Sequence, residues 1–128
     1  MEALQVARDG LIPADQEVLS KAVARAAELW NLTNETLGEI IGVSASTASR
    51  LRAGGWKLTP GTKQFELGQF LVRLFRSLDS LTGSDDEAAT SWLKNDNTDL
   101  EGRPIELIRT VKGLTEVANY VDDFRARV

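Results

Sequence analysis

Apolar positions along this chain recur at three- and four-residue intervals, and alternating β-branched runs are missing. That pattern predicts helices and no sheet. After Pro13, Asp15 is placed to cap a helix running to about Trp30, with Val18, Leu19, Ala22, Val23, Ala26, Leu29 and Trp30 as its core stripe. A short helix over Asn34–Ile41 comes next, then the interruption Gly42-Val43-Ser44, then a helix over Ala45–Ala53 that Gly54-Gly55 brings to a stop. Residues 56–61 form a loop with Trp56 as its bulky anchor. Lys63–Leu81 reads as one long helix whose polar positions Glu66, Gln69, Arg73, Arg76 and Ser80 make a single narrow stripe. A helix this apolar must be covered on more than one side, either as the central helix of the domain or as a dimer surface.

Thr82-Gly83 separates the two halves. Ser84 and Glu87 have capping-box spacing and open a helix through Trp92 and Leu93. The run Asn95-Asp96-Asn97-Thr98-Asp99 is a polar turn. Pro104 suits the first position of a short helix over 105–112, Gly113 ends it, and a last helix carries Leu114, Val117, Ala118, Val121 and Phe124 at helical spacing. The expected architecture is all-α with seven or so helices. It divides into an N-terminal region over 1–61, a connecting helix over 62–81 that is a candidate for self-association, and a small helical C-terminal domain over 82–128.

Composition narrows the chemistry. With 128 residues, 42% of them hydrophobic, the chain can bury a real core. It has no cysteine and no histidine, which excludes disulfides, thiol nucleophiles, zinc fingers and any Ser-His machinery. Only carboxylates and carbonyls could hold a metal. Asp85-Asp86-Glu87 is what a helix N-terminus favours, however, and the 95–99 turn lacks the glycine and terminal glutamate of a calcium loop. No nucleophile–base pair and no glycine-rich phosphate loop is present, so no enzyme, metal or cofactor is expected. There is no 18-residue apolar run, and Met1 to Gly10 lacks the features of a secretion signal, which points to a cytoplasmic protein.

The net charge of −4 is unusual for a partner of nucleic acid, but it is unevenly spread. Residues 1–43 carry −4, residues 44–76 carry +5, residues 77–101 carry −6 and the remainder +1. One basic block between two acidic ones is either a solvated helix face or a surface for phosphates. The local pattern decides. Two helices crossing nearly at right angles need a small residue at the crossing, a turn residue that tolerates positive φ, and apolar side chains facing inward from both. Gly38, Gly42, Leu37, Ile41, Val43, Ala48 and Leu51 supply these, so residues 34–51 read as a helix-turn-helix. Its second helix then exposes Ser44, Ser46, Thr47, Ser49, Arg50 and Arg52. Short hydroxyls let such a helix sit deep in a major groove, while arginines clamp phosphate or guanine. Thr33 and Asn34 stand at the start of the first helix, where its N–H groups meet the DNA backbone. At net −4 the chain needs avidity on DNA, from a homodimer or from bridging by a protein partner.

The helix-turn-helix segment resembles the Xre type of bacterial regulators. Ser91-Trp92-Leu93-Lys94-Asn95, the run from Leu100-Glu101-Gly102-Arg103-Pro104 to Thr110, and then Gly113 and Val117 resemble the toxin-binding domain of Xre–MbcA–ParS antitoxins. The resemblance covers roughly residues 28–123 and implies one half of a toxin–antitoxin pair. The partner it implies is a RES-domain toxin that consumes NAD or transfers ADP-ribose. The antitoxin would neutralise that toxin by covering its active-site entrance and would repress its own operon by binding operator DNA. Trp92, Leu100, Arg103, Tyr120, Phe124, Arg125, Arg127 and Val128 are the candidate toxin contacts, the first five from residue types or positions suited to anchors and the last three as a C-terminal plug. Trp92 and Phe124 have an alternative role in packing their own domain, and the tail has one as a frayed end. The competing function is a stand-alone helix-turn-helix repressor whose C-terminal half only dimerises.

Overall fold

The computed structural model describes residues 12–127. Seven helices run through them: α1 (Gln16–Leu29), α2 (Asn34–Ile41), α3 (Ala45–Ala53), α4 (Lys63–Leu81), α5 (Asp86–Lys94), α6 (Pro104–Leu107) and α7 (Val111–Arg127). Among the described residues no strand forms, and no helix is long and apolar enough to cross a membrane.

Most helix starts are fixed by one side-chain oxygen accepting from a first-turn N–H, which satisfies a donor the helix itself leaves over. Asp15 accepts from Val18 N, Thr33 from Thr36 N, Ser44 from Thr47 N and Thr62 from Phe65 N, at 3.0 to 3.2 Å. The fifth cap differs from expectation. Asp85, not Ser84, caps α5 by accepting from Ala88 N. Ser84 is held at φ 63° and donates to Asp79 instead, so the anticipated capping box does not form.

The helix-turn-helix is as anticipated. A Cβ on Gly38 would lie 2.5 Å from the Val43 carbonyl oxygen, so only glycine allows α2 and the turn to come this close. Gly42 turns the chain at φ 77°. Leu37, Ile41, Ala48 and Leu51 are buried, and Val43 plugs the corner half-buried. The α3–α4 loop is anchored by Leu58, fully buried with its N–H donating to the buried Ser20 hydroxyl, while Trp56 is only half-buried. The loop anchor is therefore the leucine two residues beyond the predicted one. Its lack of any polar atom suits it to a site that closes over α1.

Helix α4 is the central element. It packs on α1 and α2, where Gly68 comes against Val23 and Leu19, and Leu67 against Gly42, and makes the most extensive helix pair of the fold with α7. Trp30 and Phe75 meet with ring centres 5.3 Å apart, tying α1 to α4. Of the predicted polar stripe of α4, Arg73 is spent against α7, pairing with Asp122 and donating to Asn119; Ser77, which the stripe did not include, also donates to Asp122.

The C-terminal corner departs from the sequence-based expectation. The helix over 105–112 is only the single turn α6, and Gly113 lies inside α7 rather than ending a helix. A Cβ on Gly113 would sit 1.8 Å from the Leu107 carbonyl oxygen. Its glycine is needed for close approach between α6 and α7, which sequence alone does not distinguish from a helix stop.

Candidate functional site

The exposed surface of α3 is small and hydroxylic. Ser44, Ser46, Ser49 and Arg50 are exposed and Thr47 is half-buried, with no acidic side chain on the helix. Thr47 Oγ1 accepts from Ser44 Oγ at 3.0 Å and from Arg50 Nη2 at 2.9 Å, so one threonine holds the arginine along the helix surface. Ser44 also serves as the N-cap, which fixes its oxygen toward the helix. Ser46 Oγ also lies 3.2 Å from Ser44 Oγ, in hydrogen-bond contact, which leaves Ser49, the free side of Ser46 and the far edge of the Arg50 guanidinium facing outward.

Arg52 is differently placed. It is half-buried, and its Nη1 donates to the Leu32 carbonyl at 2.6 Å and to Asn34 Oδ1 at 3.4 Å. Its guanidinium thus braces the end of α3 against the start of α2 and holds Asn34 in place. Thr33 is exposed but its hydroxyl is occupied by capping, accepting from Thr36 N and donating to Thr36 Oγ1. The fold therefore brings Thr33, Asn34 and Arg52 to one corner and Ser46, Ser49 and Arg50 to the adjoining helix face. Two cations absent from the predicted set lie beside that corner. Lys21 and Arg25, on α1 within the net-acidic stretch, border the same cleft as Arg52, Trp56 and Lys57. Their one-turn spacing on the polar side of α1 was the signal available in the sequence.

The second candidate surface is aromatic. Trp92 on α5 stacks with Tyr120 on α7 at 6.5 Å and 20°, and Tyr120 meets Phe124 at 6.2 Å and 36°. With Leu78, Leu81 and Val121 they line a groove of about 310 Å³. Phe124 is 49% exposed, an open end for this run of rings. Tyr120 donates to Asp99 Oδ2 at 2.8 Å, which pins the 95–102 turn to the rings. That carboxylate holds the phenol proton and, with some help from burial, raises its pKa above the ordinary tyrosine value.

Of the other predicted contacts, Leu100 is half-buried against the core, and Arg103 is exposed and pairs with Glu106. Arg125 and Arg127 are exposed at the end of α7, but Arg125 borders a different cleft, with Arg73, Ser77 and Asp122, on another side of α7 from Phe124. Val128 lies outside the described residues. Sequence reasoning missed a polar contact between the α6–α7 corner and α2. Arg109 after α6 donates to Thr36 Oγ1 at 3.3 Å and lies 3.7 Å from Glu39, both on α2.

Residues 10–73 match the family model of the antitoxin Xre-like helix-turn-helix domain, and residues 77–127 match that of the antitoxin Xre/MbcA/ParS C-terminal toxin-binding domain. This chain belongs to the Xre-type antitoxins. No curated protein matches it. The antitoxin is thus a helix-turn-helix DNA-binding protein with a toxin partner, and the second match speaks against the stand-alone repressor. The α3 face lies within the first matched segment, and the rings of Trp92, Tyr120 and Phe124 lie within the second. The two segments divide inside α4, the helix that both halves share.

Proposed function

We propose that this antitoxin neutralises a RES-domain toxin, one that consumes NAD or transfers ADP-ribose, and represses its own operon as a homodimer held within a larger toxin–antitoxin complex. The observation that carries this reading is the pairing, on one small helical body, of an acid-free hydroxylic recognition helix with a half-exposed aromatic groove. Residues 1–61 serve the operator, 62–81 connect and contribute to self-association, and 82–128 grip the toxin.

On the DNA side, Ser46, Ser49 and Arg50 reach base edges or phosphates. Thr33, Asn34, Ser44, Thr47 and Arg52 shape that surface, Arg52 through its bond to the Leu32 carbonyl. On the toxin side, Trp92, Tyr120 and Phe124 anchor an apolar feature of the partner, as large aromatic side chains do at interface centres. Leu100, half-buried against the core, and Arg103, exposed, contribute to the rim. Arg125, Arg127 and Val128 extend from α7 toward the toxin's active-site entrance.

Co-expression with the product of the adjacent gene tests the toxin half. The two proteins should co-purify, and removing residues 124–128 should abolish rescue of toxin-expressing cells while operator binding persists. A truncated antitoxin that still rescues those cells refutes the covering role of the tail. An adjacent product with no NAD-directed activity refutes the RES assignment.

A further inference from the structure

Beyond the recognition helix, α1 and the α3–α4 loop enclose a cleft of about 500 Å³ that reaches the last turn of α3 at Ala53 and Gly54. Its cations are Lys21, Arg25, Arg52 and Lys57, and its carboxylates are Glu17 and Glu28. Lys57 is paired with Glu17, and Arg52 is engaged with the Leu32 carbonyl. Lys21 and Arg25 are exposed and make no direct ion pair or hydrogen bond among the described residues, although Lys21 lies close enough to Glu17 to lower its pKa. They stand one turn apart on α1, about 6 Å along the axis, within reach of neighbouring phosphates on one strand. The linear sequence hides this patch, because both residues lie in the 1–43 stretch whose net charge is −4.

We propose that this cleft is a second DNA contact, in which Lys21 and Arg25 hold backbone phosphates flanking the bases read by α3. The inference rests on the operator-binding reading above and adds to it residues that the helix-turn-helix pattern does not include. Continuity with the recognition surface favours DNA as the occupant. Arg52, on the cleft wall, also bonds Asn34 at the start of α2, so the cleft and the phosphate-facing end of α2 form one surface. Charge complementarity favours it as well. The antitoxin carries a net −4, yet this cleft gathers four cations against two carboxylates beside an acid-free helix, so even with Glu17 shared between Lys57 and Lys21 it offers phosphates a local positive excess.

Phosphate contacts carry no sequence information, and that sets the test. The full antitoxin and its Lys21→Gln/Arg25→Gln variant are titrated by fluorescence anisotropy against two duplexes, one covering the region upstream of its own gene and one of scrambled sequence, across a salt series. The variant should bind both duplexes about tenfold more weakly at moderate salt, and the slope of log affinity against log salt should shrink by about two. A Lys21→Arg/Arg25→Lys variant should keep the full slope, which separates charge from any effect on folding. An unchanged slope in the Gln variant overturns the second contact. So does a loss confined to the upstream duplex, which marks base readout instead. Failure of the unmodified antitoxin to prefer its upstream duplex overturns the operator reading itself, a result distinct from either.

Discussion

In the helix-turn-helix half of this antitoxin every helix start is capped by a neighbour in sequence, whereas in the toxin-binding half, Asp85 at α5 apart, the turns lean on residues far away along the chain. Asp15, Thr33, Ser44 and Thr62 each cap the helix they precede, and Gly42 and Gly54 turn it off at positive φ. By contrast α6 has no side-chain cap, the Asn97–Gly102 turn is pinned by Tyr120, and the chain beyond α6 is tied to α2 by Arg109. The surfaces differ in the same sense. The first half shows short hydroxyls on α3 and the exposed Val18 on α1, and the second leaves Val111 and Phe124 outside with Trp92 and Tyr120 half out. A half built from local signals can hold a fixed polar face against DNA. One held by long-range contacts keeps apolar surface open for a partner that completes it.

Two glycines offer the strongest way to break this contrast. Gly113→Ala places a methyl 1.8 Å from the Leu107 carbonyl oxygen and Gly38→Ala places one 2.5 Å from that of Val43. Backbone cannot swing aside as a side chain can, so both changes must open a helix contact. The Gly113 variant should lose about 3 kcal/mol in denaturant unfolding and the Gly38 variant about 2 kcal/mol. The damage should also separate. Gly113→Ala abolishes toxin capture and spares operator binding, and Gly38→Ala does the reverse. Equal loss of both activities in either variant shows that α4 fuses the halves into one cooperative unit and removes the contrast.

How much of this could be read from the chain alone follows from the same distinction. The bounds of α2, α3 and α4 are legible because cap, stripe and stop lie within a few residues of one another. Gly113 misleads because a glycine that ends a helix and one that admits a neighbouring carbonyl look alike until Leu107 is brought against it. Arg52 reads as a phosphate clamp by type, and only the fold reveals that the Leu32 carbonyl takes its Nη1. Trp92, Tyr120 and Phe124 could be named as anchors singly. Their union into one run of rings depends on α5 meeting α7 across 28 residues, from Trp92 to Tyr120. Lys21 and Arg25 vanish into a net charge summed along the chain, because charge acts through space and not along sequence.

Arg109 sharpens the comparison with a smaller effect, since it ties the chain beyond α6 to α2, away from the Arg73–Asp122 pair on α4 and α7. Its Nε is buried without a hydrogen-bond partner, and its ion-pair partners Glu39 and Glu106 are each about half exposed. Exposed pairing of this sort contributes little, and the unmet Nε subtracts from it. Arg109→Met keeps the apolar stem and should change stability by less than about 1 kcal/mol. A loss above about 2 kcal/mol in thermal or denaturant unfolding would mean that the halves are held together by this side chain and not by α4.

The smallest effect is a titration. The antitoxin has a single tyrosine, so phenolate absorbance against pH reports Tyr120 alone. Its hydrogen bond to Asp99 keeps the proton on and raises the pKa, with burial adding in the same direction and Asn97 and Arg127 opposing. Because the folded value lies above the unfolded one, the bond stabilises the fold fully below the ordinary tyrosine pKa near 10 and is lost as pH rises through the raised value. Asp99→Ala should bring the absorbance midpoint down toward that of free tyrosine and loosen the 95–102 turn, seen as faster amide exchange at Leu100, whose N–H donates to Asn97 Oδ1. An unmoved midpoint means that Asp99 does not hold the rings. The aromatic groove would then be positioned by helix packing alone, without the polar pin on the 95–102 turn.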